Sequence, residues 1–204
     1  MSTHTVLAPE LGTFSRWLQE TGEVPPDVDQ FVSIPELPDL LTFEDGSAVR
    51  SADDWEVRRG ELLAQVQHWL TGTWPVAVPA LQDREVLARR RMESAQWEHV
   101  KLTFGDGIRT FSFDVEVMTP DGAGPAPVFL TQSNHRRWAT LGLSRGCLCC
   151  VYPGADLNDQ SEQLQDLYPE CDWSKLTRRA WLGSRALDYV LSLREADPDR
   201  VCVT

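Results

Sequence analysis

Between Trp97 and Thr204 the chain passes from two alternating strand-like runs into a regular succession of short apolar runs and helical patterns. That change of period limits the fold more than any other feature. The runs Trp97 to Phe104 and Ile108 to Met118 are joined by Gly105-Asp-Gly107, and Phe111, Phe113, Val115 and Val117 alternate with Ser112, Asp114 and Glu116. Alternation of this kind marks a strand with one wet face, and the Asp-Gly turn predicts an antiparallel hairpin. Pro127 to Leu130 then reads as a strand buried on both sides, followed by a helix over Arg136 to Leu143, an apolar strand over Cys147 to Tyr152, a polar loop, a long helix and a last strand over Arg200 to Val203. Strand, helix, strand, helix, strand requires right-handed crossovers and a parallel sheet. The long helix is expected to take Asp172 as its cap, to show Trp173, Leu176, Ala180, Ser184, Leu187 and Leu191 on one face, and to end at Asp197-Pro198. The expected class is α/β: a partial α/β-hydrolase fold, an antiparallel hairpin followed by parallel strands with crossover helices.

Ahead of this region, Ser51-Ala-Asp-Asp54 resembles a capping box and Leu62, Leu63, Val66, Trp69 and Leu70 recur at helical spacing, so a helix is expected from about residue 53 to 70, stopping near Gly72. Residues 76–92 carry mixed signals that assign no element. The first fifty residues hold only Arg16 and Arg50 as lysine or arginine among many acids, with Pro9, Pro25, Pro26, Pro35 and Pro38 spread through them. Apart from a short helical turn around Phe14, Trp17 and Leu18, they read as an acidic extension over 1–50, leaving 51–204 as the folded domain.

The 204 residues carry 31 Asp plus Glu against 19 Lys plus Arg, a formal charge of -12. So acidic a surface argues against nucleic acid or an anionic membrane as main partner. No apolar run approaches the roughly 18 residues that span a bilayer, and Met1 to Gly12 lacks the basic start and apolar stretch of a signal peptide. A cytoplasmic location is the default expectation. The five cysteines, with Cys147, Cys149 and Cys150 in one apolar run, fit neither a disulfide framework nor zinc spacing, and read with Cys171 and Cys202 as buried reduced thiols.

Several segments resemble the glucuronoyl methylesterases and their acetylxylan-esterase-like relatives among the α/β-hydrolases, from about Trp55 onward. The resemblance is weak at Trp55-Glu-Val-Arg-Arg-Gly-Glu-Leu-Leu63. It is strongest at Asp172-Trp173, at Ala180-Trp-Leu-Gly-Ser-Arg-Ala-Leu-Asp-Tyr189 and at Asp197-Pro-Asp-Arg-Val-Cys-Val-Thr204. It implies a serine carboxylic-ester hydrolase in which the segment like Arg200 to Thr204 feeds the turn presenting the catalytic serine. On that pattern the serine, the arginine after it, the acid and the histidine all lie beyond Thr204. This chain is then expected to be inactive by itself, with no catalytic residue of its own. The resemblance implies no metal or other cofactor, and a small-molecule or carbohydrate ester as the complete enzyme's substrate.

Within the chain, Ser133-Asn134-His135-Arg136-Arg137 follows the buried strand at the end where α/β sheets bind ligands. By the resemblance, this loop supplies a backbone N–H of the oxyanion hole, with Ser133 and Asn134 as candidates and His135 and Arg136 on the substrate side. The competing reading makes Ser133 or Asn134 a helix cap and leaves His135 and the arginines in solvent. Gly142-Leu-Ser-Arg-Gly146 matches G-x-S-x-G, but helix precedes and strand follows, the reverse of a nucleophile elbow, so Gly146 reads as a helix C-terminal glycine and Ser144 as part of the turn. Asp156 and Asp159 read as turn formers, because the loop lacks the ligand count of a calcium site. The pairs Arg136-Arg137 and Arg178-Arg179 could face an acidic sugar or simply line wet helix faces. A last expectation concerns Val201 to Val203, which in the hydrolase strand order belong to a central strand. Ending the sheet there exposes an apolar edge suited to self-association. A non-catalytic binding or assembly protein is the alternative to an esterase.

Overall fold

A computed structural model of the chain describes residues 18–204 apart from 23, 25, 26, 34 and 123. The expected turn around Phe14 and Trp17 falls outside these residues, whereas 18–21 are helical. Two compact units result, one ending at Ala64 and one running Gln65–Thr204.

In the first unit, side chains hold the segment before the helix in tight turns. Asp39 accepts from the Leu41 N–H, Asp45 accepts from the Ser47 N–H, and Thr42 bridges to Ala48. Helix α1 (Ala52–Val66) opens on the expected reciprocal box. The Asp54 N–H donates to Ser51 Oγ at 3.1 Å while the Ser51 N–H donates to Asp54 Oδ2 at 3.1 Å, so an Asp does the work usually done by Glu. One wide turn, Gln67–Thr71, continues the helix to Gly72. The positive φ of Gly72, 68°, reverses the chain against the Asp172 carbonyl, where a Cβ would collide.

The second unit is a mixed sheet of six strands: β1 (Ala80–Arg91), β2 (Ala95–Gly105), β3 (Thr110–Pro120), β4 (Ala126–Gln132), β5 (Leu148–Tyr152) and, last in the chain, β8 (Ala196–Val203). Their order is β1-β2-β3-β5-β4-β8. The first three and the β3–β5 pair are antiparallel, while β5, β4 and β8 run parallel. The expected antiparallel β2–β3 hairpin pairs Gly105 with Thr110, and Asp106 closes its turn by accepting from the Ile108 and Arg109 N–H groups. Strand β1 occupies the stretch that gave no clear sequence signal. It is exposed along nearly its whole length, so it carries little of the apolar alternation that identifies a strand.

Helix α2 (Arg136–Ser144) covers one face of the sheet and α4 (Lys175–Leu191) the other. Between β5 and α4 lie a two-stranded hairpin, β6 (Gly154–Ala155) with β7 (Asn158–Asp159), and the short helix α3 (Gln163–Leu167), neither visible in the sequence. The larger core packs Val100, Leu102, Phe111, Phe113 and Val115 against Trp181, Leu182, Ala186 and Tyr189. A smaller one joins Met118, Ala139, Cys149 and Val151 to Phe129, Trp97 and Leu143 on the other face. Cys149 and Cys150 thus enter different cores, as strand alternation demands.

Three expectations about the long helix are corrected. Ser174, not Asp172, is the N-cap, its Oγ accepting from the Thr177 N–H at 3.3 Å. Asp172 instead accepts from the Thr73 N–H at 2.7 Å and from the Thr73 hydroxyl, pinning the chain after Gly72. The buried face is Thr177, Arg178, Trp181, Leu182, Arg185, Ala186, Tyr189 and Val190, and Leu176 is exposed. The arginine stems supply part of the buried surface, which a count of apolar letters misses. The helix also stops at Leu191, so Asp197 and Pro198 lie within β8, where Pro127 opposite Asp197 precedes a register shift that accommodates the missing N–H. Of the five thiols, Cys149, Cys150 and Cys171 are buried, Cys147 is half-buried and Cys202 is exposed, correcting its placement in the core.

Candidate functional site

The carboxyl ends of β4 and β8 lie side by side, joined where the Thr204 N–H donates to the Leu130 carbonyl and the Thr131 and Thr204 hydroxyls meet at 2.9 Å. Beyond β4 the chain makes a single 3-10 turn, Ser133–His135, and enters α2 at Arg136. No side chain caps either the turn or the helix. The Ser133 hydroxyl instead donates to the Asn158 carbonyl at 3.4 Å. Uncapped N–H groups at a helix start face outward as donors to a partially negative oxygen.

Arg136 is exposed, its side chain 46% accessible, yet it is held in an ion pair. Its Nε and Nη2 donate to the two oxygens of Glu116 at 2.7 and 2.6 Å, and the Trp97 indole N–H donates to the same carboxylate at 2.6 Å. Burial opposes the Glu116 charge, but the hydrogen bonds from Arg136 and Trp97 outweigh it and hold the carboxyl below its ordinary range. His135 stacks on Trp138, with ring centroids 4.9 Å apart.

These residues border a cavity of about 370 Å³ that runs from Ser133 and Arg136 across Tyr152 and Glu116 to His99 and Asp114, with Asn158 and Gln160 on the hairpin side. His99 Nε2 is 3.4 Å from Asp114 Oδ2. A Ser-His-Asp array is nevertheless not formed. His99 and Ser133 belong to β2 and to the end of β4, three strand spacings apart, or about 14 Å of sheet. Catalysis by a base needs hydrogen-bond reach. Asp114, Glu116, His99 and Tyr152 were not singled out by the sequence, although the wet face of β3 was; the cross-strand pairing that brings them together carries no local signal.

Tyr152 is held between two glycines, with added Cβ atoms at Gly154 and Gly183 falling 2.5 and 2.9 Å from its ring. Arg179 ties the β6–β7 hairpin to α4, donating to Asp159 Oδ2 at 2.8 Å and Asp156 Oδ1 at 2.6 Å. Arg178 is buried and donates to Gln165 and to the Trp173 carbonyl. The two aspartates therefore shape the loop. Ser144 sits at the end of α2, donating to the Leu141 carbonyl at 2.8 Å, while Gly146, at φ 79°, closes the helix. Among the described residues, no three His, Cys, Asp or Glu side chains gather to hold a metal ion, and no helix is long and apolar enough to cross a membrane.

A hairpin leading into parallel βα units, with an uncapped strand-to-helix turn beside the end of the neighbouring strand, is the arrangement of an α/β-hydrolase-type sheet. Curated 4-O-methyl-glucuronoyl methylesterases of Schizophyllum commune and Cerrena unicolor are each 26% identical to the chain, over 82% and 74% of its residues. Among solved structures, a glucuronoyl esterase from Solibacter usitatus aligns at a TM-score of 0.65 with 22% identity over 84% of this chain and 57% of its own. Another, from Teredinibacter turnerae, aligns at 0.65 with 20% identity over 94% and 59%. No protein-family profile matches. The chain is glucuronoyl-esterase-like in sequence and has the α/β-hydrolase fold of those structures. It spans 42% and 32% of the two curated relatives.

Proposed function

We propose that this chain is the scaffold portion of a glucuronoyl-esterase-like serine hydrolase and does not cleave esters by itself. The observation that carries the reading is the junction of β4 and β8. Uncapped N–H groups follow Gln132, and the Thr131–Thr204 contact sets them beside the end of the strand that, in the hydrolase pattern, feeds the nucleophile turn. In that reading, Ser133 and Asn134 offer main-chain N–H donors to an ester oxygen as it becomes negative, and Arg136, locked on Glu116, fixes the turn from which they project. A donor pair polarises a carbonyl but supplies no attacking atom. The substrate of the complete protein is a carbohydrate or small-molecule ester.

The exposed edge of β8 supports a second reading, a non-catalytic assembly module. Val201 and Val203 are 38% and 57% exposed on a strand that, among the described residues, pairs only with β4, an arrangement suited to self-association.

Intact-mass measurement of the native protein from its source, with a fluorophosphonate probe, separates the readings. A labelled species heavier than 23.0 kDa supports the scaffold proposal. Labelling of the 204-residue chain itself overturns it. An unlabelled 23.0 kDa species that dimerises in light scattering, and loses dimerisation in Val203→Lys, favours the assembly module.

A further inference from the structure

We propose that a second cavity, formed by residues 73–77, the β2–β3 turn and the loop after α3, binds a small organic ammonium ion with an apolar body. At about 450 Å³ it lies within the range of small-ligand sites. It shares no lining residue with the cavity bordered by Ser133 and Arg136, so it stands whether or not the reading of that turn is correct.

Other contacts hold each of its three walls in place. Thr73 is fastened to Asp172 through both its N–H and its hydroxyl, which sets the course of Trp74 to Ala77. Asp106 Oδ1 accepts from the Ile108 and Arg109 N–H groups at 2.9 and 2.8 Å and shapes the turn. Arg109 Nη1 then donates to Glu170 Oε1 at 2.6 Å and joins that turn to the loop after α3. Trp74, Val76 and Ile108 line the cavity with apolar surface that the core does not cover.

The charge of the ligand follows from what these contacts leave over. Two carboxylates, Asp106 and Glu170, face one guanidinium, and Arg109 is already engaged by Glu170 and stacked 5.1 Å from the Tyr168 ring centroid. Asp106 Oδ2 accepts from no other residue among those described. Tyr168 is only 4% exposed and lines the cavity, yet its hydroxyl has no hydrogen-bond partner among the described residues. Burial, and then the negative charge of Asp106, raise the pKa of that phenol, so it stays neutral and keeps a lone pair free to accept. Acceptors are therefore in surplus beside an aromatic and aliphatic wall. An ammonium group brings three N–H donors and the balancing charge, while the indole of Trp74 suits a cation carried on an apolar body. A carboxylate or phosphate would be repelled by Asp106 and Glu170.

The test titrates the 204-residue chain, labelled with 15N, with phenethylamine, 2-phenylethanol and 3-phenylpropionate, which share one apolar body and differ in charge. At pH 7 the amine is protonated. The expected result is saturable binding of phenethylamine at millimolar concentration, with shifts of the Trp74 indole N–H and of the Val76 and Ile108 amides. Affinity should fall about tenfold in Asp106→Asn, whose amide oxygen still serves the turn, and severalfold in Tyr168→Phe. The melting temperature of each variant checks its folding, and the shifts of the unaltered chain locate the site without any variant. Absence of saturable shifts, shifts elsewhere on the surface, or equal binding of the alcohol or the carboxylate overturns the proposal.

Discussion

Glu116, on the wet face of β3, receives both Nε and Nη2 of Arg136, the first residue of α2, at 2.7 and 2.6 Å. One carboxylate thus fastens the start of a crossover helix to a strand twenty residues earlier. Glu116→Ala leaves the guanidinium and the Trp97 indole N–H without that acceptor. A loss of about 1–2 kcal/mol is expected in urea denaturation, with Glu116→Gln losing less because the amide oxygen still accepts.

Acid dependence follows from the same carboxylate and from Asp172. In each, burial favours the neutral form but the hydrogen bonds win: Arg136 and Trp97 at Glu116, the Thr73 hydroxyl and N–H at Asp172. A carboxyl lowered in the folded state contributes stability in full above its unfolded value, about 4, and loses it as pH falls through the folded value. The urea midpoint should therefore hold steady above about pH 5 and fall below about pH 4. Thr73→Val together with Glu116→Gln should flatten that decline.

Gly183 in α4 leaves room for Tyr152. An added Cβ would lie 2.9 Å from Cζ and 3.1 Å from the hydroxyl, and Gly154 blocks retreat on another side. Alanine gains about 1 kcal/mol of helix propensity, but overpacking a fixed ring costs about 1–3 kcal/mol. Gly183→Ala should lower the melting temperature, and Tyr152→Leu should relieve the effect of that substitution.

Ser174 and Asp172 compete as cap of α4, and the structure assigns the cap to Ser174. Ser174→Ala should cost about 1 kcal/mol by chemical denaturation. Asp172→Asn should instead loosen the 71–73 segment, read as faster amide exchange at Thr73, whose N–H donates to that carboxylate.

Thiol labelling should divide the cysteines sharply. Burial pushes Cys149 up to about 12 and Cys150 higher still, whereas Cys202 is exposed at the sheet edge. At pH 8 a disulfide reagent should modify Cys202 first, and Cys202→Ser should remove the fast phase. Cys149 and Cys150 should react only on unfolding.

The hairpin, the three parallel strands and both crossover helices were legible because each is set by local periodicity: alternation in β3, a continuous apolar run in β5, helical spacing in α4. The capping box at Ser51 and the closing turn at Gly146 were legible for a similar reason, since each is completed within a few residues. Strand β1 was not, because an exposed edge strand places few constraints on its side chains and gains its pairing from β2. The hairpin of β6 and β7 was missed because its order comes from Arg179 on α4, twenty residues from Asp159.

The amino-acid sequence by itself determined the class of fold and the direction of the chain through it, since hydrophobic period and turn chemistry are local properties. It also placed Ser133 to Arg136 at the carboxyl end of β4. Which face of α4 is buried, which residue caps it, and which side chains share a cavity were decided by tertiary structure alone. Glu116, Arg136 and Trp97 meet because β2 pairs with β3 and the helix that follows β4 starts across β5 from them, at strand spacings of about 4.8 Å, and neither the spacing nor the pairing is written in any single segment.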